Sequence, residues 1–400
     1  MEQSSGGFRY VSVEAIRRAA RRRLPKPIRD SVEGAAGRET TLRWNAEALE
    51  AVRLLPRAFA EVSARDPAVE VFGRRLALPL VAGPCALAAL LHPEGELALA
   101  RAAAAAGLPF CVSLMSSYAL EEIAAVAAGS AAGPPWFELF SCTPEAFTER
   151  LLQRAEAAGC EVLVLAAGLS RSGIRYRDLA NGFSTANPTA WGQGRSLARL
   201  LAFAVRPRWL LGLPRAWPHL TLGNLAEVAP GRGAESVRRR FAFLEEEVMT
   251  GRTTWDDVAR LRRRWRGRLL VKGILTEGDA ARAAELGVDG LLLSNYGGRQ
   301  LDGTEAAPLA LPRIAEALGG RVALFVDGGV RQGSDIVKCL ALGATACVVG
   351  RPWLWALAAD GERGLRNLFA VYARELDNAL ALLGVPAAGA VGRAQVRLEA

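Results

Sequence analysis

The segment GVDGLLLSNYGGRQLDG, residues 287–303, contains an apolar run that stops abruptly in a polar, glycine-rich turn. Its three leucines, 291–293, are consecutive rather than alternating, which is typical of a short strand buried on both faces of a parallel sheet. Functional residues are then expected just after the strand, where Tyr296 and Arg299 follow. The intervening glycines allow a ligand to approach the backbone, and a guanidinium suits a carboxylate or a phosphate. The alternative is an ordinary turn with a solvated arginine.

Composition and charge indicate a globular protein without a nucleic-acid partner. Four hundred residues with 51% hydrophobic content can bury a large core, in one large α/β domain or two ordinary ones. The net charge of +9 is carried by arginines that are spread along the chain. Nucleic-acid binding requires a clustered basic stripe and a reading module, and the sequence shows neither. A modest positive field favours anionic substrates or an anionic membrane surface.

Cysteine and histidine usage argues against several kinds of site. The six cysteines form no CxxC pair and mostly fall in apolar runs, which indicates small core residues in a reducing cytoplasm. His92 and His219 are the only histidines, too few for a histidine-built metal site or a Ser-His-Asp triad, so no metal is expected. No signal peptide or membrane span is recognisable, and we expect a cytoplasmic protein.

From residue 78 onward, short apolar segments alternate with segments of helical periodicity. The predicted strands are 78–83, 109–113, 136–140, 161–167, 268–273, 289–294, 322–327 and 345–350. Helices are predicted near 92–107, 118–129, 144–159, 277–286, 308–318 and 333–342. Every connection is long enough for a crossover, so the strands are expected to be parallel. This pattern predicts a single (β/α)8 TIM barrel over residues 1–400, with an open doubly wound sheet as the alternative.

Two segments lie outside this rhythm. Residues 1–76 are expected to form an N-terminal cap, in which residues 11–36 read as two short helices broken at Leu24-Pro25-Lys26-Pro27. Residues 179–253 interrupt the barrel after its fourth strand. A structureless loop of this length is rare in a compact barrel unless it is a lid or an interaction element, and we expect one of these roles.

The carboxyl ends of the predicted strands point to a cofactor that carries a phosphate. The last two strands are followed by glycines and by Arg331 and Arg351, a pattern typical of a barrel phosphate site built from backbone N–H groups and a helix N-terminus. Lys272 ends the fifth strand, where a cation would stabilise the anionic reduced ring of a flavin. The alternative for Lys272 is a surface lysine whose charge reaches solvent.

With these residues placed, the chain resembles the FMN-dependent 2-hydroxy-acid oxidase and dehydrogenase family from about residue 8 to 386. The resemblance is carried by LPK at 24–26, HPEGE at 92–96, GIRYRD at 173–178, LVKG at 270–273, SNYGGRQLDG at 294–303, DGGVRQGSDIVKCLALGA at 327–344 and VGRP at 349–352. It implies that Arg175 and Arg299 clamp a substrate carboxylate. It also implies FMN contacts from Pro84, Cys85, Ala86, Ser113, Glu138, Lys272, Ser294, Asp327, Gly328, Gly329, Arg331, Gly350 and Arg351.

The chain departs from the family pattern mainly at the residues that handle protons. Tyr296 stands where the family has its histidine general base, and Gly168 where the family has the aspartate that supports that histidine. Two family tyrosines correspond to Ser31 and Phe140, and a flavin-contacting glutamine corresponds to Glu138. An unperturbed tyrosine titrates about 3.5 pKa units above histidine, which disfavours proton abstraction at neutral pH by roughly 4.8 kcal/mol. Arg175, Arg299 and Lys272 are expected to lower this pKa if they surround the phenol.

Three functions remain open at this point. The first is an FMN-dependent oxidoreductase that oxidises a carboxylate-bearing small molecule, with Tyr296 as an altered acid or base or with an amine substrate that needs no histidine. The second is a biosynthetic flavoenzyme that acts on a larger molecule. The third is a catalytically silent FMN-binding protein. The resemblance also implies a homo-oligomer, most simply a tetramer.

The insertion contains a stretch that favours membrane contact. Residues 190–225 mix apolar residues with tryptophans and arginines, and this composition is typical of a segment that lies on an anionic bilayer. The sequence RPRW at 206–209 resembles the corresponding part of mandelate dehydrogenase, a membrane-associated member of the same family. Two interpretations follow from this composition: peripheral contact with the inner face of the membrane and, favoured over it, a lid packed on the barrel with a tryptophan-rich underside.

Overall fold

The computed structural model describes residues 8–182 and 202–398, and a closed eight-stranded parallel sheet forms its centre. The strands are Leu80–Ala82, Cys111–Ser113, Trp136–Leu139, Val162–Ala166, Arg268–Lys272, Gly290–Leu293, Ala323–Asp327 and Ala346–Val349. Neighbours in sequence are paired in parallel, and the last strand pairs with the first. The N–H of Ala82 donates to the carbonyl of Pro109 at 3.0 Å and closes the barrel on its remaining side. The predicted TIM barrel is confirmed, and the open sheet is wrong.

The strands are short and apolar because both of their faces are buried. Leu292 points into the barrel, where it packs in one cluster with Phe325 and Val348. Leu291 and Leu293 point outward and pack under the surrounding helices. This arrangement explains the continuous leucine run, since alternation with polar residues would put a polar side chain in one of the two cores.

Helices surround the barrel in the positions that the sequence rhythm predicts. They are Gly95–Ala106, Leu120–Val126, Glu145–Ala157, Glu277–Glu285, Ala307–Leu318, Gly333–Ala341 and Arg351–Leu383, the last with a break at Asp360 and Gly361. No helix in the described part of the chain is both long and apolar enough to cross a bilayer.

The N-terminal segment covers one side and one end of the barrel. Its helices are Val13–Arg23, Lys26–Glu33 and Thr40–Glu50, and the break between the first two lies at the predicted Leu24-Pro25. The hairpin of Val69–Val71 and Arg74–Leu76 packs its apolar side chains against the barrel interior at the amino ends of the strands. Val52–Leu54 pairs with the C-terminal strand Val396–Leu398.

The insertion after the fourth strand is helical where the structure describes it, rather than structureless. Its helices are Tyr176–Ala180, Pro207–Ala216, Ala234–Phe243, the π-helical turn Leu244–Val248 and, beyond it, Trp255–Arg264. Residues 183–201, which include the first part of the expected membrane segment 190–225, lie outside the described residues. Trp209 is buried and its indole N–H donates to the carbonyl of Leu90 at 2.9 Å. This contact fixes the insertion on the loop that follows the first barrel strand.

Candidate active site

One cavity of about 800 Å³ lies at the carboxyl ends of the barrel strands, beneath the insertion. Every candidate residue named from the sequence lines it except Ser294, which lies just behind the wall. The lining candidates are Pro84, Cys85, Ala86, Ser113, Glu138, Arg175, Lys272, Tyr296, Arg299, Asp327, Gly328, Gly329, Arg331, Gly350 and Arg351. Ligand pockets range over roughly 300–1,000 Å³, so the cavity can hold a cofactor and a substrate together.

Lys272 is buried in the cavity wall and is paired there with a carboxylate. Its Nζ lies 2.6 Å from Oε1 of Glu138, and the two side chains are 7% and 4% exposed. The hydroxyl of Ser113 donates to the other carboxylate oxygen of Glu138 at 3.0 Å. Burial opposes the charge of Lys272, but the charges of Glu138 and then Asp327 outweigh it and raise the lysine pKa. The surface alternative for Lys272 is therefore wrong.

Asp327, at the end of the seventh strand, has one oxygen satisfied and one without a partner. The hydroxyl of Ser294 donates to its Oδ2 at 2.7 Å, and the same hydroxyl accepts the backbone N–H of Tyr296 at 2.9 Å. Oδ1 is buried and has no hydrogen-bond partner among the described residues. Desolvation raises the pKa of this carboxyl group, while the charge of Lys272 opposes the rise. A buried acceptor of this kind indicates that a ligand donor belongs beside it.

Tyr296 begins the turn after the sixth strand in a left-handed backbone conformation, with φ of +57°. Its hydroxyl donates to the carbonyl oxygen of Ala167, which follows the fourth strand, and the ammonium of Lys272 lies 4.9 Å from its ring centroid. Desolvation and the charges of Glu138 and Asp327 raise the pKa of the phenol well above 10. The expected lowering by cations is wrong, because the charges that act on the phenol are carboxylates.

The three cavity arginines that follow the last three barrel strands have no carboxylate partner among the described residues. Arg299 donates through Nη1 to the carbonyls of Ser31 at 2.7 Å and Gly34 at 3.0 Å. Arg351 donates to the carbonyls of Val32, Gly34 and Gly297 at 2.9–3.0 Å. Arg331 stacks on the ring of Trp355, with 5.0 Å from its Cζ to the ring centroid.

This arginine group is an uncompensated positive cluster. Desolvation, followed by the charges of Arg299 and Arg331, lowers the pKa of Arg351 to about 9. Desolvation and the charge of Arg175 lower the pKa of Arg299 to about 10. Such mutual repulsion is relieved by anions, and a phosphate or a carboxylate in the cavity would supply them.

Arg175 lines the same cavity, at the start of helix Tyr176–Ala180. Its Nε donates to the buried carboxylate of Asp178 at 2.7 Å, which orients the guanidinium. The two remaining nitrogens of the fork are available for a bidentate contact, as a planar guanidinium allows. Arg175 and Arg299 are close enough for their charges to interact.

The glycines after the seventh strand are required by the backbone and by a neighbouring helix. Gly328 and Gly329 have φ of +95° and +88°, a region that side chains disfavour. A Cβ on Gly329 would lie 2.0 Å from the carbonyl oxygen of Asn45. The amide of Asn45 exchanges hydrogen bonds of 2.7 and 2.9 Å with the amide of Asn295. Helix Thr40–Glu50 and the turns after the sixth and seventh strands are thereby held together.

Cys85 is the one thiol among the cavity residues that the structure describes, and it is not activated. Desolvation is the largest influence on it and raises its pKa to about 12. A thiol with this pKa is protonated at neutral pH and is a poor nucleophile. The Cys85 side chain packs against Gly350 and fills space in the cavity wall. A Cβ on Gly350 would lie 3.4 Å from its sulfur.

Comparison with known proteins assigns the site to a family. The sequence pattern described as FMN-dependent dehydrogenase matches residues 20–398. The chain belongs to the FMN-dependent dehydrogenase family. This membership confirms the resemblance found in the sequence, and it makes FMN the cofactor and the chain an FMN-dependent oxidoreductase.

Relatives of this chain cover nearly its whole length. It is 39% identical over 377 residues to an L-lactate dehydrogenase of Caulobacter vibrioides, with 94% of each chain covered. It is 38% identical over 390 residues to a 4-hydroxymandelate oxidase of Amycolatopsis orientalis, with 97% of this chain and 99% of the relative covered. The crystal structure of a monotopic membrane protein, (S)-mandelate dehydrogenase, matches 98% of this chain and 100% of that one, with a TM-score of 0.89 and 33% identity.

The residues of this FMN-dependent dehydrogenase fit the cofactor of its family. The unpartnered Oδ1 of Asp327 and the arginines without carboxylate partners are the features that an FMN molecule, with its hydroxyl groups and its phosphate, would complement. The helix that starts at Arg351 directs its N-terminus at the same end of the cavity, where its dipole favours an anion.

Sequence reasoning missed the part of the wall that comes from the insertion and from the N-terminal cap. The missed lining residues include Asn45, Phe203, Trp209, Leu210, Leu213, Arg232, Phe241, Glu245 and Met249. The composition of the insertion indicates apolar contacts. Its apolar residues do not recur at a regular helical spacing, so the sequence does not show which of them face the cavity. Asn45 lies on a helix that is 250 residues away from its partner Asn295, and no local pattern reveals such a contact.

Proposed function

We propose that this chain oxidises a 2-hydroxy acid with a bulky apolar substituent, bound between the bound FMN and the insertion. The observation that carries this proposal is that two arginines, Arg175 and Arg299, line the same cavity as a group of apolar side chains contributed mainly by the insertion. A carboxylate anchored by two guanidinium groups directs the rest of the substrate toward the insertion. The names of relatives support the same class, because one of them is a 4-hydroxymandelate oxidase.

The roof of the cavity accounts for the expected size of the substituent. Phe140, Phe203, Leu210, Leu213 and Phe241 line it. Phe140 and Ser31 replace tyrosines of the family pattern, so the substrate meets fewer hydroxyl groups and, at Ser31, more space. Burial of an aromatic ring in such a wall contributes about 1.5–3 kcal/mol relative to its exposure, whereas a methyl substituent gains much less.

Each protein group has a distinct role in the proposed reaction. When bound, FMN supplies the two-electron acceptor. Arg299 is held by the carbonyls of Ser31 and Gly34 and therefore presents a fixed positive charge to the substrate carboxylate. The insertion excludes water from the reacting carbon, and Trp209 holds it against the loop after the first strand.

Tyr296 is proposed to hold the reacting group rather than to remove its proton as an anion. Its hydroxyl hydrogen is donated to the carbonyl of Ala167, which leaves the lone pairs of the phenol oxygen to accept a hydrogen bond from the substrate. A phenol with a raised pKa stays protonated at neutral pH and acts as an orienting acceptor. The proton of the substrate hydroxyl then passes to solvent.

The test is anaerobic bleaching of the yellow holoprotein by matched substrates. (S)-Mandelate is expected to bleach the bound FMN at least tenfold more efficiently than L-lactate, because the phenyl group fills the apolar roof. The amide of mandelate, which lacks the carboxylate charge, is expected to be at least tenfold poorer than mandelate. Equal rates for mandelate and its amide would refute the carboxylate clamp, and absence of bleaching by every 2-hydroxy acid would refute the reaction.

The protonated state of Tyr296 favours one second candidate, a 2-amino acid with the same kind of substituent. A neutral amine carries its own lone pair and requires no protein base at the reacting nitrogen. The phenol oxygen would accept one of its N–H groups. Bleaching by phenylglycine without bleaching by mandelate would select this candidate over the hydroxy acid.

We also propose that the outer face of the insertion touches a membrane surface. Val205 and Leu211 are 57% and 79% exposed, and Arg208 and Arg215 are exposed beside them. Apolar and basic side chains on one short helical segment are typical of an interfacial anchor. The monotopic (S)-mandelate dehydrogenase structure supports the same arrangement.

A further inference from the structure

We propose that Glu138 sets the reduction potential of bound FMN by compensating the ammonium charge of Lys272. The role is that of a positioning and charge-tuning residue, since Glu138 acts through Lys272. It rests on FMN binding by this site and not on the identity of the substrate.

The pair is built so that the two charges cannot separate easily. Nζ of Lys272 and Oε1 of Glu138 are 2.6 Å apart, and both side chains are almost completely buried. The hydroxyl of Ser113 donates to Oε2 of Glu138 at 3.0 Å, and Ser113 is the register partner of Glu138 on the adjacent strand. Both carboxylate oxygens are therefore held by groups on rigid barrel strands.

Within the described part of the chain, no other positive charge next to Lys272 makes up for its neutralisation by Glu138. Asp327, held by Ser294, is the second anion whose charge acts on Lys272. The ring of Tyr296 covers another side of the ammonium at 4.9 Å. Arg299 and Arg351 donate instead to backbone carbonyls of Ser31 and Gly34.

Reduction of FMN by two electrons and one proton adds one negative charge to the ring system. An uncompensated lysine beside the ring stabilises that charge and raises the potential, whereas a lysine paired with a carboxylate stabilises it much less. A glutamine in place of Glu138 would be neutral and would leave the charge of Lys272 uncompensated. This chain is therefore expected to hold FMN at a lower potential than it would with a glutamine there.

The experiment compares the wild-type holoprotein with Glu138→Gln in two measurements that need no turnover. One is the midpoint potential of bound FMN, and the other is the dissociation constant for sulfite, which adds reversibly to flavins beside an uncompensated cation. Glu138→Gln is expected to favour the reduced form at least tenfold, which corresponds to about 30 mV for two electrons. Its sulfite dissociation constant is expected to fall at least tenfold.

Glu96→Gln is the matched control, because Glu96 is another carboxylate with 3% exposure that does not line the cavity. It is expected to leave the potential and the sulfite affinity unchanged. A yellow Glu138→Gln protein with the wild-type potential and sulfite affinity would overturn the proposal. A wild-type protein that binds no FMN would instead refute the cofactor assignment.

A second variant decides the matter if Glu138→Gln is isolated without FMN. Replacement of both charges, in E138Q/K272M, is expected to leave the reduction equilibrium within threefold of the wild type, since a compensated pair contributes little net charge. A tenfold or greater shift toward the oxidised form in this double variant would show that Lys272 acts uncompensated, and it would overturn the proposal.

Discussion

The phenol of Tyr296 illustrates how buried neighbours fix the chemistry of a single side chain. Desolvation is the largest influence on it, and Glu138 and Asp327 add two negative charges that oppose a phenolate. Arg175 and Arg299 carry the opposite sign, but they do not offset the rise in the Tyr296 pKa. The same two carboxylates would raise the pKa of a histidine at this position, because they favour its protonated form.

A change of Tyr296 to phenylalanine tests the orienting role at the residue scale. The ring and its contact with Lys272 are kept, while the hydroxyl that bonds to Ala167 is lost. We expect kcat/KM to fall about tenfold to a hundredfold, the range for one lost hydrogen bond in a reacting geometry. Because the Tyr296 pKa lies well above 10, the kcat/KM of the wild type is expected to show no limb from this group below pH 9.

The pH profile distinguishes this role from that of a base. A base must be deprotonated, so kcat/KM would rise with pH through its pKa. An ascending limb below pH 9 that is present in the wild type and missing in Tyr296→Phe would contradict the orienting role. A tenfold fall with an unchanged profile would agree with it.

At the scale of elements, helix Pro207–Ala216 separates two surfaces. Trp209 faces the barrel and is 6% exposed, whereas Leu211 points away and is 79% exposed. Leu211→Glu is expected to weaken sedimentation with vesicles rich in anionic lipid at least tenfold. The change removes an apolar side chain that would enter the bilayer and introduces a negative charge that anionic lipids repel. The cavity and the FMN spectrum are expected to be unchanged.

Leu382→Glu supplies the control for membrane contact. Leu382 is 69% exposed and belongs to helix Arg351–Leu383, outside the insertion. Equal loss of sedimentation in both variants would indicate a general effect of charge rather than an anchoring helix. Retention of full sedimentation by Leu211→Glu would remove the membrane proposal.

The barrel strands could be predicted closely from the sequence, because every residue of a strand that is buried on both faces is apolar. The apolar run therefore marks the strand itself. The run 289–294, for example, contains the strand Gly290–Leu293. The helices of the insertion could not be predicted, since their apolar residues are divided between the cavity roof and an exposed face. The local pattern then has no single period to detect.

Contacts between distant segments limited prediction of the site in the same way. The sequence predicts that Arg299 and Arg351 lie at the same end of the barrel, and both line the cavity there. Their anchoring on the carbonyls of Ser31, Val32 and Gly34 depends on how the N-terminal cap folds over the barrel. The pairing of Lys272 with Glu138 joins residues that are 134 positions apart. The tetramer that the resemblance implies stays a prediction.

At the scale of the whole molecule, one buried carboxyl group couples the fold to pH. Glu96 begins the helix Gly95–Ala106, and its Oε1 accepts the N–H groups of Ala88 at 3.2 Å and Ser117 at 2.9 Å. Its Oε2 is buried and has no partner among the described residues. Burial is the largest influence on its pKa and raises it from 4.5 to about 7. The folded barrel therefore binds a proton here more tightly than the unfolded chain does.

Because the folded pKa is the higher one, the contribution of this proton to stability is present below pH 4.5 and is lost as pH rises through 7. The difference between these two values corresponds to roughly 3 kcal/mol. Glu96→Gln keeps the Oε1 acceptor and has no charge to bury. It is expected to match the wild type at pH 5 and to exceed its free energy of unfolding by up to about 3 kcal/mol at pH 8. Urea unfolding at fixed FMN concentration from pH 5 to 8 measures this difference, and a constant gap between the two proteins would show that Glu96 does not titrate in the folded barrel.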